Sequence, residues 1–128
     1  MNDRFKFRAW HKPTKRLFEI WSFTPSCVYE NTVNGIYTSP TNPAKLEDCV
    51  LEQSTGLKDK NGRLIYEGDI VRNGSPSISH NIYKVEYNSV NANYGLTNKY
   101  DDHCFCYAMS LEVIGNIHEN KNLLEAAE

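Results

Sequence analysis

Apolar residues in this chain alternate with polar ones over short runs, and the runs end in Gly, Asn or Pro turns. Successive side chains on a β-strand point to opposite faces, so this pattern predicts a mainly β fold built from short strands. In "RFKFRAW", Phe5, Phe7 and Ala9 share one face, while Arg4, Lys6, Arg8 and Trp10 share the other. "HKPTKR" supplies a turn, because Pro13 fixes its own φ and biases Lys12 away from helix. "LFEIWSF" returns as a second strand with apolar groups on both faces, which predicts cover on both sides or a subunit contact. Residues 1–23 therefore read as a hairpin.

Residues 24–47 read as an irregular connection, with Pro25, Pro40 and Pro43, a tight turn at Asn34 and Gly35, and one helical turn in "PAKLED". Further strands are expected in "CVLEQST", "IYKVEYN", "CFCYAM" and "LEVIGNI". In the stretch "TGLKDKNGRLIYEGDIVRN", Gly56, Gly62 and Gly68 serve turns, as does Gly115 later. Gly68 is expected at positive φ, and the Asp69 side chain is expected to cap its turn. Lys58, Asp59, Lys60 and Asn61 form the expected exposed tip. The tail "HENKNLLEAAE" reads as a short helix, N-capped by Asn120 or Asn122 and docked by Leu123 and Leu124. Short strands at this spacing predict a small barrel or roll. With 128 residues, the chain is long enough for one domain with a core of its own. The expected layout is a single domain over 1–128: hairpin 1–23, connection 24–47, barrel 48–120 and helical tail 121–128.

Catalytic chemistry is hard to place. A phosphate-binding loop needs GxxxxGK[ST] between a strand and a helix, whereas Gly62 is followed by Arg63, Leu64 and a strand pattern. Glu67 and Asp69 sit at a turn where both are expected to be solvated, with no raised pKa for acid–base work. His103, Cys104 and Cys106 invite a zinc reading, completed by Cys27 and Cys49, but structural zinc sites draw ligands in closely spaced pairs and only one such cluster is present. No metal, no cofactor and no enzymatic activity are expected. No apolar run approaches the roughly 18–20 residues of a membrane helix. The charged start "MNDRFKFRAWHK" has no apolar signal core, so a cytoplasmic location with reduced cysteines is expected.

The net charge of −2 is lopsided: residues 1–16 are basic and residues 101–128 acidic. The two ends suit each other within a chain or between copies, and the basic end suits a polyanion. Arg4, Lys6 and Arg8, with Trp10 beside them, are the candidate face for phosphate contact and base stacking. The alternative is that charges on an edge strand discourage aggregation.

Three blocks, "KFRAW" (Lys6–Trp10), "TGLKDKNGRLIYEGDIV" (Thr55–Val71) and "SLEVIGNIHEN" (Ser110–Asn120), resemble the YopX family of phage and prophage proteins. They match in order and rough spacing. His118 stands where the family often has tyrosine, and Lys121 where it often has proline. The resemblance implies a β-rich fold with a small SH3-like barrel, a host-cytoplasmic phage protein, and no established biochemical activity. It supplies no catalytic residues. The expected role is a non-enzymatic protein-interaction or assembly module, whether through a homo-oligomer or through a phage or host protein. The alternative is a nucleic-acid-binding module using Arg4, Lys6, Arg8 and Trp10. Lys58, Asp59, Lys60 and Asn61 are a second candidate binding surface, because loops on a rigid barrel commonly carry function.

Overall fold

The computed structural model describes residues 5–30, 43–74, 81–100, 102–104 and 110–126. Arg4, the turn expected at Asn34 and Gly35, and Cys106 lie outside them. Among the described residues the fold is mainly β, with two antiparallel sheets and one short helix. The strands are β1 (Phe7–His11), β2 (Arg16–Phe23), β3 (Cys27–Glu30), β4 (Ala44–Lys45), β5 (Cys49–Lys58), β6 (Leu64–Tyr66), β7 (Asp69–Asn73), β8 (Ile82–Asn88), β9 (Asn93–Thr97), β10 (Asp102–Cys104) and β11 (Leu111–Asn116). The helix α1 covers Asn122–Ala126. One sheet has the order β4-β3-β2-β1-β5-β6 and the other β10-β9-β8-β7-β11.

The chain divides into two compact units, one spanning Phe5–Gln53 and the other running from Ser54 onward. In the N-terminal unit the expected hairpin forms, with Ala9 opposite Phe18 and Trp10 opposite Leu17. β1 also pairs with the first half of β5, from Phe7–Gln53 to His11–Cys49. Ala9, Phe18, Val28 and Ala44 are the buried core, packed against Ile20, Leu46, Cys49 and Leu51. "PAKLED" gives a two-residue strand and a 3-10 turn at Leu46–Asp48. β2 differs from expectation. Phe18 is buried, but Trp21 is 64% and Phe23 46% exposed, so among the described residues this strand is covered on one side only.

In the C-terminal unit, Ile65, Val71, Tyr83, Val85, Leu96, Leu111 and Val113 form the core, with Tyr94 against it. The barrel expected over residues 48–120 is not found: no sheet closes, and β10 and β11 remain edges. Closure would need the edge strands to pair with one another. The outer side of β11 is instead occupied by a turn. Lys60 N–H donates to the Leu111 carbonyl at 2.9 Å, and Val113 N–H donates to Asp59 Oδ2 at 2.9 Å. That edge is satisfied without another strand. The helix also differs from the expected form. It starts at Asn122, while the Asn120 side chain turns back to accept from Asn116 N–H at 3.2 Å.

The N-terminal unit holds a buried ion pair on the sheet face opposite its apolar core. Arg8 and Glu52 are direct cross-strand partners, and Arg8 Nε donates to Glu52 Oε1 at 2.8 Å with both side chains almost wholly buried. Removing one partner strands the other's charge, at a cost of about 3–5 kcal/mol. Replacing both with apolar groups of similar volume is close to neutral. We therefore expect Arg8→Met to lower unfolding free energy by about 3 kcal/mol or more, and the double variant Arg8→Met, Glu52→Leu to recover most of it. Chemical denaturation of the wild type, both single variants and the double variant measures this.

Candidate functional site

The stretch "KDKNGR" (Lys58–Arg63) connects β5 to β6, and its middle residue does the opposite of what its charged neighbours suggest. Asp59 is only 5% exposed. Its Oδ1 accepts from the N–H groups of Asn61 and Arg63, both at 2.9 Å, and its Oδ2 accepts from Val113 N–H. The backbone closes the same turn, with Asp59 N–H donating to the Arg63 carbonyl at 2.8 Å and Gly62 N–H donating to the Asp59 carbonyl at 3.0 Å. Gly62 has φ +82° and open space where a Cβ would stand, so the left-handed backbone alone demands glycine there. Burial by itself would raise the Asp59 pKa. The three N–H donors, from Val113, Arg63 and Asn61, and then the Arg63 charge outweigh it and hold the carboxyl below the ordinary aspartate value.

Asp59 is therefore not part of an exposed tip, because its carboxylate is consumed by three backbone donors. Lys58, Lys60 and Asn61 are exposed. Lys60 Nζ lies 3.9 Å from Glu112 Oε1, which Arg72 Nη2 approaches to 2.8 Å. The Arg72 hydrogen bond first, and then the Lys60 charge, lower the Glu112 pKa. This cluster is at the surface, where salt screens it.

The other turns follow the same logic. Tyr66 N–H donates to Asp69 Oδ2 at 2.8 Å, and Gly68 between them has φ +87°. Gly68 N–H donates to the Val85 carbonyl at 2.8 Å, and Ile117 N–H to the Gly68 carbonyl at 2.9 Å, so this turn ties β8 to the end of β11. Asp69 is fully buried rather than solvated. Gly56, at φ +82°, donates its N–H to Ser54 Oγ at 2.9 Å, where β5 shifts register against β6. At Gly115 the constraint is contact: an added Cβ would lie 2.6–2.8 Å from the Asn120 side chain. Asn116 Oδ1 accepts from His118 and Glu119 N–H at 3.0 Å each, and Asn116 Nδ2 donates to Glu119 Oε1 at 2.9 Å.

At the first block, Lys6 is exposed, Trp10 half-buried and Arg8 buried against Glu52. The continuous basic ladder expected from alternation is thus interrupted at Arg8. Sequence reasoning did not pick out Glu52, Asn116 or Asn120. "GNIHEN" offered a local signal in its two asparagines four residues apart, whereas Glu52 offered none. Cys27 and Cys49 are free thiols. Burial first, then Asp48, push the Cys49 thiol up against the opposing Lys12 charge, so it is poorly ionised at neutral pH. His103 and Cys104 lie on β10. No group of three metal-ligating side chains occurs among the described residues. The large aromatics most open to solvent in the N-terminal unit are Phe5 (53%), Trp21 and Phe23, and the Phe23 ring meets Phe7 edge-on at 5.7 Å.

Comparison with known proteins places these turns in context. The family model described as YopX protein matches residues 6–125. Among solved structures, the crystal structure of protein EF1440 from Enterococcus faecalis aligns over 93% of this chain and 96% of that one, with 29% identity and a TM-score of 0.64. A search of curated proteins gives no match. The middle and last of the three blocks are brought together through Asp59–Val113, Lys60–Leu111 and Gly68–Ile117.

Two outcomes follow from this geometry. Asp59 binds a proton less readily in the folded chain than in the unfolded one. Its contribution is thus complete above an ordinary aspartate's 3.8 and is lost as pH falls through the lower folded value. Asp59→Asn should flatten that acid limb. It should also cost about 1–3 kcal/mol at neutral pH, because an amide cannot accept from all three donors at both positions. Urea unfolding between acid and neutral pH checks both. Gly115→Ala should destabilise by about 1–3 kcal/mol through overpacking against Asn120. Adding Asn120→Gly should cost less in that background than in the wild type, and thermal denaturation of the cycle shows whether the two sites couple.

Proposed function

The chain belongs to the YopX family, and from that footing we propose that it is a non-enzymatic protein-interaction or assembly module, encoded by a phage or prophage and acting in the bacterial cytoplasm. The observation that carries this reading is the open aromatic side of the N-terminal unit, where Trp21, Phe23 and Phe5 are each about half or more exposed. Exposed aromatics on a rigid sheet are typical anchors of protein interfaces, since they bury large area with few rotatable bonds. A second copy of the chain is the first partner to consider, and a phage or host protein the next.

The titration behaviour supports a role without catalysis. A general acid needs a raised carboxyl and a nucleophilic cysteine a lowered thiol. Asp59 and Glu112 move down and Cys49 moves up. The Arg8–Glu52 ion pair favours this reading over nucleic-acid binding, because Arg8 is buried and already matched by a carboxylate. No helix among the described residues is long and apolar enough to cross a membrane.

The test is sedimentation velocity over rising protein concentration, followed by capture of partners from phage-infected cells. The wild type should self-associate or retain one defined phage or host protein. Trp21→Ser should weaken that association by about tenfold or more, as expected of an aromatic anchor. Its folding stability should stay within about 0.5 kcal/mol of wild type, because the residue is exposed. A wild type that is strictly monomeric and retains nothing overturns the reading.

A further inference from the structure

The outer face of the C-terminal sheet carries a hollow that none of the turns explains. Lys84 on β8 is the direct cross-strand partner of Thr97 on β9, so the two side chains lie side by side on one face. The alternating residues Tyr83, Val85 and Leu96 point the other way, into the core. α1 packs against β8. The helix therefore leans on a polar sheet face, and the fit leaves a half-open cavity of about 340 Å³, lined by Lys84, Thr97, Asn98, Lys99, Leu124 and Glu125.

This lining has a definite chemistry. Leu124 gives an apolar wall, and Thr97 a hydroxyl. Two ammonium groups against one carboxylate leave a single excess positive charge. Asn98 serves the fold: its Nδ2 donates to the Ile82 carbonyl at 3.0 Å, and its Oδ1 accepts from Tyr100 N–H at 2.8 Å. Its role at the cavity is to fix the backbone between Thr97 and Lys99. Lys84 Nζ meets Glu86 Oε2 at 3.1 Å, with both side chains substantially exposed. Such a surface pair contributes little, and an incoming anion can take the carboxylate's place. Lys99 Nζ stands 5.3 Å from the centre of the Tyr100 ring. The volume lies at the small end of ligand pockets, which suits a metabolite rather than a macromolecular segment.

We propose that this cavity is a binding site for a small amphipathic anion, a molecule with a short apolar body and a single carboxylate or phosphate head. The head sits between Lys84 and Lys99 with Thr97 donating to it, and the body lies against Leu124. This site is independent of the aromatic face in the N-terminal unit.

The test is titration of the ¹⁵N-labelled full chain with hexanoate, hexyl phosphate and 1-hexanol, followed by amide chemical shifts. Hexanoate or hexyl phosphate should give saturable shifts at Lys84, Thr97–Lys99 and Leu124–Glu125, and 1-hexanol should bind at least about tenfold more weakly. Whichever anion binds more tightly identifies the head group. The double variant Lys84→Gln, Lys99→Gln should lose about tenfold or more in affinity for the anion while keeping the wild-type spectrum elsewhere. Thr97→Val should lose less. Absence of saturable shifts, equal binding of hexanol and hexanoate, or undiminished binding by a folded double-lysine variant would each overturn the proposal.

Discussion

The C-terminal unit depends on one carboxylate placed where a strand edge would otherwise be open. Asp59 accepts two N–H groups of its own turn and one from Val113 on β11. A single side chain thus fixes a local turn and terminates a sheet. An edge strand presents unpaired donors and acceptors that would recruit another chain. Here Asp59 and the Lys60 N–H cover that edge around Leu111 and Val113. β11 also shifts register against β7 between Val113 and Gly115, next to the site where Asp59 binds. Bulges of this kind bend a strand and end regular pairing. Beyond the bulge, Gly68 and Asn116 take over the hydrogen bonding of the strand's end.

These contacts also account for why the unit is open rather than closed. A barrel needs each edge to find the other through a consistent stagger of strands. The β11 edge is already satisfied by a turn, and its end is committed to the Gly68 carbonyl through Ile117. Little remains for another strand to bond. The polar residues of the middle and last family-like blocks are therefore occupied mainly in building this clasp, and the surface left over consists of Lys58, Lys60, Asn61 and the Arg72–Glu112 pair.

What the sequence made legible was local. Alternation found the first hairpin, β8 and β11, and turn chemistry located Gly62 and Gly68 with Asp69. Each of these depends on partners within a few residues, where side-chain type and spacing carry the signal. The misreadings involve distant partners. Asp59 looked like part of a solvated tip because Lys58 and Lys60 flank it, yet its decisive donor lies 54 residues away. Arg8 looked like one rung of a basic ladder, yet Glu52 meets it from 44 residues away. Alternation reports which residues share a face. It does not report what the third strand brings to that face. The cavity near α1 was illegible for the same reason, since Lys84, Thr97 and Leu124 come from three elements.

The contrast between buried and exposed groups bears on where function can reside. A polar group taken out of water must be matched, and matched groups have little interaction left for a partner. Asp59, Asp69, Asn116 and the Arg8–Glu52 pair are of this kind. Trp21 and Phe23 are the opposite case: apolar area held open to water by a strand whose other side is packed on Phe18. Exposing them forgoes hydrophobic stabilisation that burial would supply, at roughly 25 cal/mol per Å². A fold that matches its buried charges so completely, yet leaves two large rings of β2 in solvent, keeps its largest unused source of binding free energy on that strand.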